Sequence, residues 1–242
     1  MICSAIDTPR YADLWWAALA VTDLDLLARV PLFADMQPDD LRHLADQLRS
    51  RPYRKGEMIF MAGDPGTSLY IIEHGRVKLS LNSAEGREVI LDLLTSGDVF
   101  GELALLDGKP RSADAVTLEA SRLLLLARDE FVRFLEERPR TALALLCTLS
   151  LRLRRDAALV QDAAFLDVPA RLARVLLRVA EPDADGSLRT PPLTQTVLAG
   201  LAGTTRESLN QWLRFFERGG LIKSVRKRVT ILSPDELRRR IN

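Results

Sequence analysis

Two cysteines and two histidines in 242 residues leave little with which to build a metal centre or a disulfide framework. Cys3 and Cys147 lie far apart, and Cys147, inside the apolar run 142–149, reads as a small core residue. Long apolar runs are also missing. Residues 14–21 and 123–127 are among the longest, and a membrane-spanning helix needs about 20. The N-terminus carries Asp7 and Asp13 and no basic cluster, so no secretory signal is expected and a reducing cytoplasm fits best. No P-loop, nucleophile elbow, metal-ligand cluster or paired-carboxylate site stands out, which argues against an enzyme.

Net charge is nearly absent as well, at +1, but the balance is uneven. From Pro169 onward there are 14 Lys and Arg against 7 Asp and Glu; the preceding residues carry 20 against 26. An acidic front and a basic back direct only the C-terminal part towards a polyanion.

The most informative stretch is residues 101–113, Gly-Glu-Leu-Ala-Leu-Leu-Asp-Gly-Lys-Pro-Arg-Ser-Ala. It supplies a carboxylate, a guanidinium and a hydroxyl in thirteen residues. Glu102 can accept from a ribose 2′-hydroxyl. Arg111 offers a planar fork of donors to a phosphate, with the Ser112 hydroxyl beside it. A surface loop with a Glu–Arg ion pair is the competing reading.

Periodicity divides the remainder. Residues 24–30 and 38–48 read as short helices, the second with Leu41, Leu44, Ala45 and Leu48 on one face. Residues 1–22, with Trp15-Trp16, are either a packed helix or an extension. From Tyr53 to about Ala127, β-rich runs at 58–61, 69–73, 77–81, 89–94, 115–117 and 121–126 alternate with glycine turns, as in an antiparallel sandwich or barrel. A short helix follows over 129–135, then a long one over about 141–164. In it Leu146, Leu153 and Val160 repeat every seven residues, with Leu149 and Ala163 on the same stripe. That is either a dimer seam or a face buried in its own chain.

After Pro169 come a helix at 171–179, a polar loop at 181–192, and two helical segments, 194–202 and 205–216, broken by Gly203. The outward face of the second, starting at Thr205, carries Arg206, Glu207, Asn210, Gln211 and Arg214, side chains suited to base edges or phosphates. Thr204 and Glu207 also have capping-box spacing, so Glu207 has a second possible task. Residues 221–224 and 229–232 read as a hairpin with a basic tip, Arg226-Lys227-Arg228. Ser233 and Glu236 form a capping box for a last helix.

The 101–113 stretch resembles the phosphate-binding cassette of cyclic-nucleotide-binding domains. The whole order, over about residues 24–232, resembles the catabolite activator / fumarate-nitrate regulator (Crp/Fnr) superfamily, nearest its cyclic-AMP receptor type. The resemblance implies an α+β chain. Residues 1–23 would be an extension, 24–139 a β-roll cyclic-nucleotide domain, 140–168 a dimerisation helix and hinge, and 169–242 a winged helix-turn-helix. It implies ligand contacts from Gly101, Glu102, Leu103, Arg111 and Ser112, and a pocket lined by Val89 and Leu91. It also implies base reading by Arg206 and Glu207, a homodimer on double-stranded, roughly palindromic DNA, and RNA polymerase as a further partner.

Two departures stand out. Gln211 occupies the place of an arginine reader, which favours adenine over guanine there. Asp156-Ala157 replaces a Thr-Ser pair that meets the adenine edge across the dimer. Asp156 either faces the purine, leaving cyclic AMP and cyclic GMP both open as ligands, or pairs with Arg152 one turn earlier. No iron–sulfur cluster, haem or metal is expected. Two cysteines cannot make a four-cysteine set, and His43 and His74 read as structural.

Overall fold

The computed structural model describes residues 24–34, 36–183 and 186–241, so the N-terminal extension with Trp15-Trp16 and Cys3 lies outside the described residues. Among the described residues two short helices come first, α1 (Leu24–Arg29) and α2 (Pro38–Gln47). Pro38 begins α2 without a lost hydrogen bond, and Asp39 and Asp40 complement its positive end.

Eight strands follow: β1 (Arg49–Tyr53), β2 (Met58–Phe60), β3 (Ser68–His74), β4 (Val77–Asn82), β5 (Glu88–Leu94), β6 (Val99–Phe100), β7 (Asp114–Thr117) and β8 (Ser121–Ala127). They form two antiparallel four-stranded sheets, ordered β1-β8-β3-β6 and β2-β7-β4-β5. The short helix α3 (Leu103–Asp107) sits between β6 and β7. β3 is buried on both faces, which explains its unbroken apolar run. Leu69 and Ile71 join Leu124 and Leu126 under the helices, while Tyr70 and Ile72 join Leu123 and Phe100 inside the roll. β1 has no apolar alternation to announce it. Arg49, Ser50, Arg51 and Pro52 are exposed on an edge strand, where a proline is tolerated.

Two more helices complete this part, α4 (Arg128–Glu137) and α5 (Pro139–Phe165). At 27 residues α5 extends about 40 Å. Its inner side, with Thr141, Leu145 and half-buried Leu149, packs on its own β-roll. Leu149 therefore leaves the proposed stripe. The exposed residues at three- and four-residue spacing are Leu143, Leu146, Ser150, Leu153, Ala157, Val160 and Ala164. Cys147 is exposed, not a core residue. Residues 142–149 carry apolar side chains both on the side that meets the β-roll, Leu145 and Leu149, and on the exposed side, Leu143 and Leu146.

The chain then turns at Leu166. The Asp167 side chain accepts from Ala170 N at 3.0 Å and starts α6 (Val168–Val179) three residues earlier than periodicity suggests. The helix pair α7 (Gln195–Leu201) and α8 (Arg206–Arg218) follows, then β11 (Ile222–Val225), β12 (Arg228–Ile231) and α9 (Pro234–Arg239). The 181–192 loop contributes two small strands, β9 (Glu181–Pro182) and β10 (Leu188–Arg189), giving a sheet ordered β11-β12-β10-β9. Ser233 precedes α9 but its side chain makes no capping bond, so the expected box is not formed. Among the described residues no helix is long and apolar enough to cross a membrane.

Candidate functional site

The cassette is organised around a buried arginine. Arg111 is 4 % exposed. Its Nη1 donates to Gly101 O at 2.6 Å and its Nη2 to Ser68 O at 2.7 Å. The guanidinium lies 4.3 Å over the Phe60 ring and 5.5 Å from that of Tyr70, which stacks on Phe100. Its backbone is tied to the β2–β3 turn by Arg111 N to Asp64 O and Gly63 N to Arg111 O. Burial draws the Arg111 pKa below the ordinary guanidinium value, against the pull of Tyr70 and Glu102. Gly101 is required here: its φ is +83°, and a β-carbon would stand 2.6 Å from Arg111 Nη1.

Glu102 is 3 % exposed. Its Oε1 accepts from Arg152 Nη1 of α5 at 2.7 Å, and Arg152 Nη2 also donates to Val99 O. Arg152 thus turns to the cassette, and the Arg152–Asp156 pair, one of the two alternatives for Asp156, is not formed. Asp156 is exposed and makes no ion pair among the described residues. Two buried polar atoms are left over in the same cradle, Glu102 Oε2, an acceptor, and Arg111 Nε, a donor.

The other predicted residues are arranged less tightly. Ser112 is exposed at the rim, and Leu103 and Val89 are half-exposed. Leu91 is the extra residue of a bulge in β5, since Leu79 pairs with Asp92 and Ser80 with Ile90. Ser68, Phe60, Tyr70, Asp64 and Arg152 were missed. Carbonyl acceptors have no sequence signature, although two of the few aromatics, Phe60 and Tyr70, fall in adjacent β-runs. Asp114, just beyond the cassette, is likewise fixed, accepting from Ala62 N and Asn82 Nδ2 at 2.7 Å each.

The C-terminal face is built differently. The Thr194 side chain caps α7 through Val197 N, and the Thr205 side chain caps α8 through Ser208 N, both at 3.2 Å. The α8 cap is thus Thr205 and not Thr204, so of the two tasks open to Glu207 the capping box with Thr204 is not formed. Gly203 takes φ +58° in the tight turn, and Thr204 N bonds Ala199 O. Leu209, Leu213 and Phe216 are buried, while Arg206, Glu207, Gln211 and Arg214 are exposed and Asn210 is half-buried. Arg171, also missed, bonds both Ala202 O and Leu166 O.

The wing turn is narrower than expected. Val225 pairs with Arg228, so only Arg226 and Lys227 form the tip and Arg228 begins β12. Both tip residues have positive φ, 46° and 69°, as a type I′ turn demands. Neither is glycine or asparagine, and left-handed backbone costs an ordinary residue about 1–2 kcal/mol. The turn is held by Leu193 N to Lys227 O at 2.8 Å, and β11 is tied to α8 by Ser224 N to Glu217 Oε1 at 2.9 Å. A notch of about 360 Å³ between them is lined by Thr194, Gln195, Arg206, Ser224 and Lys227. Among the described residues no cluster of His, Cys, Asp and Glu could hold a metal ion.

Comparison with known proteins matches both ends. Residues 50–138 fit the model of the cyclic nucleotide-binding domain, and residues 170–240 that of the Crp-like helix-turn-helix domain. A CRP-like cAMP-activated global transcriptional regulator of Mycobacterium tuberculosis is 36 % identical over 220 residues, covering 89 % of this chain and 98 % of that protein. The cyclic AMP receptor protein of Thermus thermophilus is 33 % identical over 196 residues, covering 80 % and 88 %. The fold is shared with the c-di-GMP responsive global regulator of Xanthomonas campestris, with a TM-score of 0.72 at 24 % identity over 81 % of this chain and 99 % of that one.

Proposed function

Because the chain belongs to the Crp/Fnr family of transcription regulators, we propose that it is a homodimer whose affinity for specific double-stranded DNA is gated by a cyclic nucleotide. The observation that carries the gating is the pair of leftover buried atoms. Glu102 Oε2 lacks a donor and Arg111 Nε lacks an acceptor. A cyclic nucleotide supplies both, a ribose 2′-hydroxyl to donate and a phosphate oxygen to accept. Burying such groups unpaired costs about 1–3 kcal/mol each, more for charged ones, so their partner is strongly favoured. On this reading Gly101, Leu103 and Ser112 complete the ribose–phosphate cradle, and Val89 and Leu91 line the pocket. Among the two candidate ligands, the cAMP-activated relative supports cyclic AMP. Free Asp156 beside the α5 seam keeps cyclic GMP in play, since guanine offers two adjacent donors to a carboxylate.

Leu146, Leu153 and Val160 form the dimer seam with Leu143 and the small residues between them. Residues 24–139 hold the ligand, 140–168 pair the subunits, and 169–242 meet DNA. Arg206, Glu207, Asn210 and Gln211 read bases, while Thr205, Arg226, Lys227 and Arg228 meet phosphates of a roughly palindromic operator matching the two-fold axis. RNA polymerase is the further partner the family suggests. A second reading has one observation in its favour: Arg111 already satisfies two carbonyls, so the cassette could serve packing in a regulator gated differently. Calorimetric titration with cyclic AMP, cyclic GMP and cyclic di-GMP separates the two. Saturable binding of a mononucleotide that Arg111→Leu abolishes supports gating; three flat titrations reject it.

A further inference from the structure

Strand β5 touches several parts of the molecule. Val89 pairs with Leu81 and lies half-open on the side assigned to ligand. Ile90, the next residue, points to the other face. It is fully buried, and it belongs to the apolar core of the C-terminal end, with Leu93 and Leu118 packed against the same core. Its neighbour across the boundary is Gly200 in α7. A β-carbon at Gly200 would stand 2.9 Å from Ile90 Cγ1, 3.0 Å from Cδ1 and 3.6 Å from the Glu88 carbonyl oxygen. Gly200 has ordinary helical backbone, and glycine inside a helix costs roughly 0.5–1 kcal/mol relative to alanine. The close approach of β5 is what requires it. Further along the strand, Asp92 accepts from Arg155 of α5 at 3.4 Å.

We propose that the Ile90–Gly200 contact is the element through which the ligand cradle and the DNA-reading helix are coupled. It rests on the gating proposed above. Helices α7 and α8 share a core through Leu198, Leu209 and Leu213, so the seat of α7 on β5 sets the stance of α8. A ligand pressing on Val89 moves the strand whose other side carries Ile90. Packed interfaces shift between discrete arrangements and do not bend continuously, so a small displacement there exchanges one seat for another. Ile90 and Gly200 are positioning residues and touch neither ligand nor DNA.

The test uses the full-length protein, cyclic AMP as probe, and a DNA duplex selected from random sequence by the wild-type protein. The readout is the ratio of DNA affinities with and without saturating cyclic AMP, which for real coupling is of the order of 5–150. Gly200→Ala and Ile90→Ala should each drive it towards one while leaving the affinity for cyclic AMP without DNA unchanged. The double variant exchanges the added carbon for removed ones and should return the ratio towards wild type. Linkage requires the same factors when cyclic AMP affinity is measured with and without DNA. Single variants that keep the wild-type ratio, or a double variant worse than either, overturn the proposal. A wild-type ratio of one, with cyclic AMP bound, instead rejects the gating reading and the coupling with it. Hydrogen exchange then separates the two failures: faster exchange at Glu88–Ile90 in Gly200→Ala shows that the seat exists but carries no signal, and unchanged exchange shows that there is no seat.

Discussion

Arg111 and Arg206 carry the same guanidinium into opposite surroundings. Arg111 is buried, and two of its nitrogens are bonded to carbonyls 10 and 43 residues away in sequence. Arg206 stands exposed in the first turn of α8. Their carboxylate neighbours differ in the same way: Glu102 is buried and bonded to Arg152, while Glu207 is exposed. In the cassette, charge is part of the fold, and what remains for a ligand is one atom of each group. On α8 the fold is complete without the charges, so they are wholly available. Substitutions should therefore couple stability and function at one end and separate them at the other.

The largest effect is expected at Arg111. Arg111→Leu should lower cyclic-nucleotide affinity by about 2–5 kcal/mol. It should also destabilise the protein, because Gly101 O and Ser68 O lose their donors at about 1–3 kcal/mol each. Calorimetry and thermal melting read the two; full stability with lost binding would break the comparison. Next comes the seam. Leu153→Glu should give monomers by light scattering with a folded circular dichroism spectrum, since Leu153 is 71 % exposed in its own chain; an unchanged dimer would move the interface elsewhere.

Gln211 should behave in the opposite manner to Arg111. Gln211→Ala should cost about 1–3 kcal/mol at one base pair per half-site and leave melting within about 0.5 kcal/mol. Competition against single-base operator variants measures the first. The smallest effect is expected at the wing, and there the two readouts take opposite signs. Lys227→Gly relieves left-handed backbone, so stability should rise by about 1 kcal/mol, while the salt slope of DNA binding falls by roughly 1. A destabilised variant would show that the turn is not strained.

Much of this could be read from sequence where the cause is local. Glycine turns, the cassette and the broken helix pair announce themselves because backbone conformation near glycine is a short-range matter. The long helix and its exposed Leu146, Leu153 and Val160 were legible from local periodicity, yet Leu149 and Cys147 were misplaced, because one stripe cannot say which side its own domain covers. The Thr204/Thr205 ambiguity is a one-residue shift between two equally good caps. The Arg152–Glu102 pair spans 50 positions, and β1 has a polar, proline-bearing sequence; no local pattern encodes either.

Arg171 has a mechanical consequence. Its guanidinium holds Leu166 O on one side and Ala202 O on the other. The residue that ends the long helix and the elbow between α7 and α8 are thus spliced by a single side chain. Any swing of the DNA-reading end must then carry α6, α7 and α8 together as one lever arm. Arg174 adds a second tie across the Phe165–Leu166 junction, to Asp162 of the long helix, so cutting the splice with Arg171→Ala would loosen the elbow while leaving α6 anchored.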